Sequence, residues 1–553
     1  MLWAKMFDYI VVGGGIGGSV VSHRLHQSDP SLKILLVEAG PDVSGNTQIP
    51  YSNYTPYLVG SQWDWGYYTE PQAALNGRRI NNPAGKCLGG GTALNSCGWM
   101  RGDSSDFDLW ADLVDDDQYN YENMLPYFKR TEEYYNPDLS PGQHGADGPL
   151  FVASTTSAGR QFPLRDQVAE AWDENGVDAL PDLDGNAGHN QGRAELTEDR
   201  RDGLRQLASS AYDLGGVTVL TETLVKRITL SKAKGTVRAT GIELVNGTRY
   251  HGKEIIASAG SYRTPQLLML SGIGPEETLS ELGIDPIVNA PEVGQNLHDH
   301  LEFQMFWKLK DPSAGYAVGS DNPLFSQPEF GTGMPLDWVV TTTVPQAGLI
   351  SAIQADEGQK PAHSHPLLRK ARSFLEHFVI YAAGSAADPV VPADGSHIMT
   401  TMVHFLPTSK GYVTINSADP SKPPVIDPQY YTTQVDQYAI RQGIRDATNL
   451  MLGTAVGKSL IAQETAPDDF DPITLNATDA YIDARYKHNA FSTYHPMGSC
   501  SMGKVVDTDF RVYGVKGLRV VDASVFPNPI TAHIQAATYG MAEKAAAVIL
   551  GSN

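Results

Sequence analysis

Cysteine is nearly absent: 553 residues contain three, Cys87, Cys97 and Cys500. Three cannot build a disulfide framework and none lies in a C-x-x-C pair, so zinc ribbons and dithiol exchange are excluded and single buried thiols are expected. Long apolar runs are missing too, none approaching the ~20 residues of a membrane span. The first strand is reached by Phe7, leaving no room for the basic region, apolar core and cleavage site of a signal peptide. A cytosolic protein is the expectation, or a secreted one if the sequence begins after processing. The N-x-[ST] triplets at Asn53, Asn246 and Asn476 matter only in the second case. Positive charge is scarce: 41 Lys and Arg face 63 Asp and Glu, a net charge of −22. A surface of that sign repels nucleic acid and anionic membranes.

What the chain has in quantity is clustered glycine. In Asp8-Tyr9-Ile10-Val11-Val12-Gly13-Gly14-Gly15-Ile16-Gly17-Gly18 an apolar run enters a glycine turn and a helix leaves it; a second apolar run, Ile34 to Val37, ends in Glu38. This is the order of a β-α-β unit that holds a dinucleotide. Gly13 makes the turn, Gly15 admits the pyrophosphate to bare backbone, and Gly18 lets helix and strand pack closely. The helix N-terminus offers N–H groups to the phosphates. Glu38, an acceptor, suits ribose hydroxyls and repels a 2′-phosphate, which disfavours NADP and leaves NAD and FAD open. Between Gly85 and Asn95 lies a second glycine-rich stretch, Gly85, Gly89, Gly90 and Gly91, too permissive for a helix or strand interior. Its backbone reads as an anion nest, with Thr92 and Asn95 adding side-chain hydrogen bonds.

The chain exceeds the ~250–300 residues at which single cores stop growing, so two domains are expected. Val217 to Ile256 has the pattern of an antiparallel meander with a turn at Asn246-Gly247, followed by a buried strand at Glu254–Gly260. A short helix is predicted from Thr264 to Ser271, with Pro near its start and Gly272 just past its end. From Leu301 to Phe405 no clean period survives, and the segment reads as the variable wall of the second domain. Val435 to Leu452 is helical in spacing. Leu518 to Ser524 is a strand running into a carboxylate, and an alanine-rich helix continues through Val548. The fold class is α/β: a Rossmann-like nucleotide domain with a second, sheet-based α+β domain.

Gly85 through Asp108 and Gly260 through Gly274 resemble the two sequence signatures of the glucose–methanol–choline oxidoreductases, flavoenzymes that oxidise alcohols. Val293–His300, Ser417–Pro420, Tyr494–Gly498 and Val521–Pro527 are further similar pieces in family order. The resemblance spans residue 7 to about 548, and implies FAD rather than NAD in an aryl-alcohol oxidase or dehydrogenase-like enzyme. It implies cofactor-binding segments at 1–155, 206–300 and 491–553, alternating with substrate-binding segments at 156–205 and 301–490. Adenine and ribose fall near Glu38, adenine also near the backbone of Val225, and the isoalloxazine near Thr92, Asn95, Asp522 and Ala523, with Gly91 among the cofactor-binding residues. Some relatives carry a flavin-linked histidine where this chain has Leu94, so noncovalent FAD is expected. His495 takes the place of the catalytic base and His533 that of its partner.

Alcohol oxidation removes a hydroxyl proton and a carbon-bound hydride; an imidazole suits the first and flavin N5 the second. The expected reaction is oxidation of a primary alcohol, aromatic or allylic, to its aldehyde in a metabolic or biosynthetic route, with O2 or another electron acceptor. The alternative on the same fold is a hydroxynitrile-lyase-like or other non-oxidative flavoprotein. His298 and His300, two residues apart with no acidic or cysteine cluster to complete a site, read as structural, and no metal is expected.

Overall fold

The computed structural model describes residues 6–51 and 58–551, so the triplet at Asn53 lies outside the described residues. Ile34–Val37 is buried at every position, as a strand covered on both faces requires. It lies between Thr218–Leu220 and Met6–Val12 in an eight-stranded sheet. Those pairings are parallel, as is that of Met6–Val12 with Arg249–Ala257. Beyond it the sheet becomes the expected antiparallel meander, Val225–Ala233 and Thr236–Leu244 folding back onto Arg249–Ala257. Leu518–Val520 joins in parallel, returning the C-terminal part of the chain to the first sheet. The helix Gln535–Leu550 is buried from Gln535 to Ala547 and packs on the helix Ile16–Ser28. Its one buried carboxylate, Glu543, is held by Arg24 at 2.7 Å and by the Tyr212 hydroxyl at 2.8 Å. A helix apolar on every side belongs inside a large core, and this one lies there.

Two expectations are corrected. The helix predicted from Thr264 begins at Gly260 and places Pro265 inside it. Proline leaves the Ser261 carbonyl without its helical donor, and the Ser499 hydroxyl supplies one at 2.5 Å. The segment 301–405 is no irregular wall. It contributes the strands Leu301–Leu309, Trp338–Thr342, Leu375–Ile380 and His397–His404 to a seven-stranded sheet. Their period was hidden because both faces are buried and several buried positions are polar, among them Thr400, Thr401, His404 and Glu376.

The two faces of this second sheet do different things. On one, Leu375 and Met402 pack under the helix Gln434–Leu452, where a Cβ on Gly443 would stand 2.8 Å from Met402 Cγ. On the other, Val339, Phe378, Val403 and Phe405 share a core with the first sheet. This second face points back at the glycine turn's half of the molecule. Among the described residues no helix is long and apolar enough to cross a membrane, and Cys87, Cys97 and Cys500 are free, buried thiols.

Candidate active site

The glycines of the turn divide by what surrounds them. A Cβ on Gly13, whose φ is +106°, would lie 2.2 Å from the Ser258 carbonyl oxygen, and one on Gly18 would lie 1.9 Å from that of Gly13. Those two are glycine because strand and helix touch there. Gly15 differs: its nearest neighbour would be Gly90 Cα at 3.9 Å, and at Gly91 nothing comes within 4 Å. Gly15 and Gly91 thus keep bare backbone open, as the approach of a dinucleotide pyrophosphate requires. The helix starting at Ile16 has no side-chain cap, so its first N–H groups remain available to an anion. These residues therefore fit FAD.

Glu38 ends its strand buried, accepting from Gly14 N and Gly40 N at 2.8 Å each. Burial pushes its carboxyl up to about 7, with the backbone donors opposing. Val225 lies close by through Thr223, whose N–H donates to the Glu38 carbonyl at 2.9 Å. On the second glycine loop the side chains of Thr92 and Asn95 are hydrogen-bonded within the protein. The Thr92 hydroxyl donates to Gly89 O at 2.7 Å and accepts from Ala208 N at 3.0 Å. Asn95 donates to Gln535 Oε1 at 2.8 Å and accepts from Arg205. The loop thus offers backbone, and Gly89 N anchors it on Gly14 O at 2.8 Å. Asp522 accepts from Gly260 N at 2.9 Å, Thr264 Oγ1 at 2.6 Å and Ser524 N at 2.9 Å, and Ala523 O accepts from Gly498 N at 3.1 Å. This pair fastens the start of one helix and the His495 loop to the end of the strand Leu518–Val520.

His495 and His533, 38 residues apart, meet with Nε2 of the first 3.2 Å from Nδ1 of the second. Their rings cross at 81°. Thr493 favours one tautomer of His495. Its hydroxyl donates to the His300 carbonyl at 3.0 Å, so its oxygen is left to accept the Nδ1 proton of His495, also at 3.0 Å. The lone pair of His495 is then on Nε2, facing His533. Burial, reinforced by the neighbouring His533 and His300, holds His495 well below the usual imidazole range. His533 Nε2 faces Glu376 Oε2 at 2.9 Å, and burial raises that carboxyl while His533 opposes the rise.

Three further residues were missed in the sequence. His300, read as structural, lies with Nδ1 3.0 Å from His495 Nδ1. Asp299 accepts from the backbone N of His495 at 2.8 Å and of His300 at 2.9 Å, and from Ser492 Oγ at 2.6 Å and the Tyr430 hydroxyl. Both lie in the family-like piece Val293–His300, which was the signal available. Glu376 had none, being a single carboxylate in an unpatterned stretch. His298 takes no part among these contacts; its backbone pairs with Met497.

Residues 7–302 and 407–542 match the two family models described as GMC oxidoreductase. The chain is 41% identical over 550 residues to the GMC-type oxidoreductase acuG of Aspergillus aculeatus, covering 99% of each. It is 33% identical to the oxygen-dependent choline dehydrogenase of Sinorhizobium fredii, covering 98% of this chain and 95% of the other. A formate oxidase variant from Aspergillus oryzae superposes with a TM-score of 0.86 at 27% identity, covering 99% of each chain. With a dinucleotide cleft, paired imidazoles and both family models in place, the chain belongs to the glucose–methanol–choline oxidoreductases and is an FAD-dependent oxidoreductase acting on CH–OH groups.

Proposed function

We propose that the protein oxidises a primary alcohol, aromatic or allylic, to the aldehyde, with His495 as the base and His533 as its partner on the same oxygen. The observation that carries this reading is the convergence of His495 Nε2 and His533 Nδ1, with the proton of His495 committed to Nδ1. A hydroxyl meeting both nitrogens donates to the first and accepts from the second. FAD, when bound noncovalently by Gly13, Gly15, Gly18, Glu38, Gly91, Val225, Asp522 and Ala523 and the loop bearing Thr92 and Asn95, supplies the acceptor for the carbinol hydride.

Taking the hydroxyl proton onto His495 leaves charge on the substrate oxygen, and the Nδ1–H of His533 stabilises it. Glu376 holds the other end of the His533 ring. Support for an aromatic substrate comes from Phe378, whose ring stacks on His533 at 5.8 Å. In this reading segments 156–205 and 301–490 form the substrate side and the remaining segments the cofactor side. The strand Gly192–Glu195 pairing with Trp338–Thr342 supports that division.

The test is anaerobic bleaching of the enzyme's flavin by benzyl and cinnamyl alcohols, with His495→Ala beside the native protein. The native flavin should bleach, and the variant should do so about 10²–10⁴-fold more slowly. Equal rates would remove His495 from the base role.

A further inference from the structure

Antiparallel register places the side chains of Glu302, Val403 and Glu376 in one row across the second sheet, and those of Gln304, Thr401 and Phe378 in the next. All six belong to the face that carries Glu376 to His533. Strands lie about 4.8 Å apart, so Glu302 is about 10 Å along the sheet from Glu376. Two buried acceptors on this face, Thr401 Oγ1 and Glu376 Oε1, have no hydrogen-bond partner among the described residues. Glu302 has the Gln304 amide at 3.0 Å and no cation among the described residues. Polar atoms withdrawn from water without partners destabilise a fold, and a sheet face has no packing need for two of them beside one phenylalanine. A ligand that supplies the missing bonds accounts for them.

We infer that Glu302, Gln304 and Thr401 form a subsite for a second, neutral hydroxyl of the substrate, and that the alcohol oxidised is a hydroxylated aromatic one. This rests on the alcohol-oxidation reading above. The substrate ring lies along Phe378, its carbinol at the two imidazoles and its second hydroxyl among Glu302, Gln304 and Thr401. A hydroxyl both donates and accepts, and the subsite offers both: the Thr401 hydroxyl, the Gln304 amide and the Glu302 carboxyl. Burial, with Glu376 adding to it, pushes Glu302 up to about 8, so at neutral pH it is an acid able to donate as well as accept. An ammonium would call for a carboxylate instead.

The experiment compares four alcohols on the FAD-loaded enzyme: benzyl alcohol, its meta- and para-hydroxy forms, and its para-aminomethyl form. kcat/KM should favour one hydroxylated form over benzyl alcohol by about tenfold or more. Glu302→Leu and Thr401→Val should each reduce that ratio, the first to within about threefold, while Glu302→Gln retains part of it. Dissociation constants for the matching hydroxybenzaldehyde and for benzaldehyde, read from flavin absorbance, should show the same preference without turnover. Bleaching by benzyl alcohol with no advantage for a hydroxylated form overturns the subsite and leaves alcohol oxidation standing. Equal losses on all substrates in both variants overturn it as well, and an advantage confined to the aminomethyl form replaces it by a cation site. Failure of all four to bleach the flavin overturns the underlying reading.

Discussion

In the proposed reaction His495 is useful as a base because its proton has already been placed. Thr493 and the His300 carbonyl hold it on Nδ1, and Asp299 fixes the backbone beneath. The lone pair therefore waits on the nitrogen facing His533. The depressed pKa of His495 gives a sign to the pH dependence. The neutral ring is the active form, so activity is complete above that pKa and is lost as pH falls through it. Because the shift is downward from 6.5, the rate constant for flavin reduction by a primary alcohol should stay level from pH 9 to 6.5. It should then fall tenfold per unit only at lower pH. A limb with its midpoint at or above 6.5, measured by anaerobic stopped flow, would contradict the environment described for this ring. Glu376 could be recognised only in three dimensions, since its partner lies 157 residues further along the chain.

At the scale of elements, the glycine turn and the second glycine loop make a cradle whose members answer to different constraints. Gly18→Ala puts a methyl into the Gly13 carbonyl, and should cost folding as well as cofactor. Gly91→Ala meets no protein atom within 4 Å. Its apoprotein should unfold within a degree or two of the native apoprotein, about 0.5 kcal/mol being typical of harmless changes, yet its FAD affinity should drop at least tenfold in a fluorescence titration. An unchanged affinity would mean that the open space at Gly91 is not the cofactor's. The β-α-β unit, the meander, the helix Gln434–Leu452 and the closing alanine-rich helix were readable because each has one dominant period or a turn signal. The helix at Gly260 was placed four residues late because proline marks a helix start only when its lost hydrogen bond has no substitute, and here Ser499 provides one. The strands of 301–405 were unreadable because burial on both faces removes alternation.

For the whole molecule, the cleft joins parts of the chain remote in sequence. The Gly89–Gly14 bond ties the turn at Gly13–Gly18 to the loop at Gly89–Asn95, and Gly17, where a Cβ would lie 2.0 Å from the Val521 carbonyl oxygen, packs the same turn against the stretch from His495 to Ala523. A ligand spanning these segments stabilises all of them together. At 100 times its dissociation constant FAD should add about 2.7 kcal/mol, which for a chain of this length raises the unfolding midpoint by roughly 2 °C. Calorimetry of apo and reconstituted protein checks this, and identical midpoints would mean the cofactor bridges nothing. Net charge came from composition and the dinucleotide turn from local motif, because such a turn needs glycines at fixed short spacing; FAD and the two imidazoles came from the resemblance to a family. The third imidazole, the Thr493 tautomer lock, Glu376 and the polar rows around Phe378 are contacts between strands and loops distant in sequence. Only the packing of the second sheet over the first decided them, since register, not spacing, sets which side chains share a face.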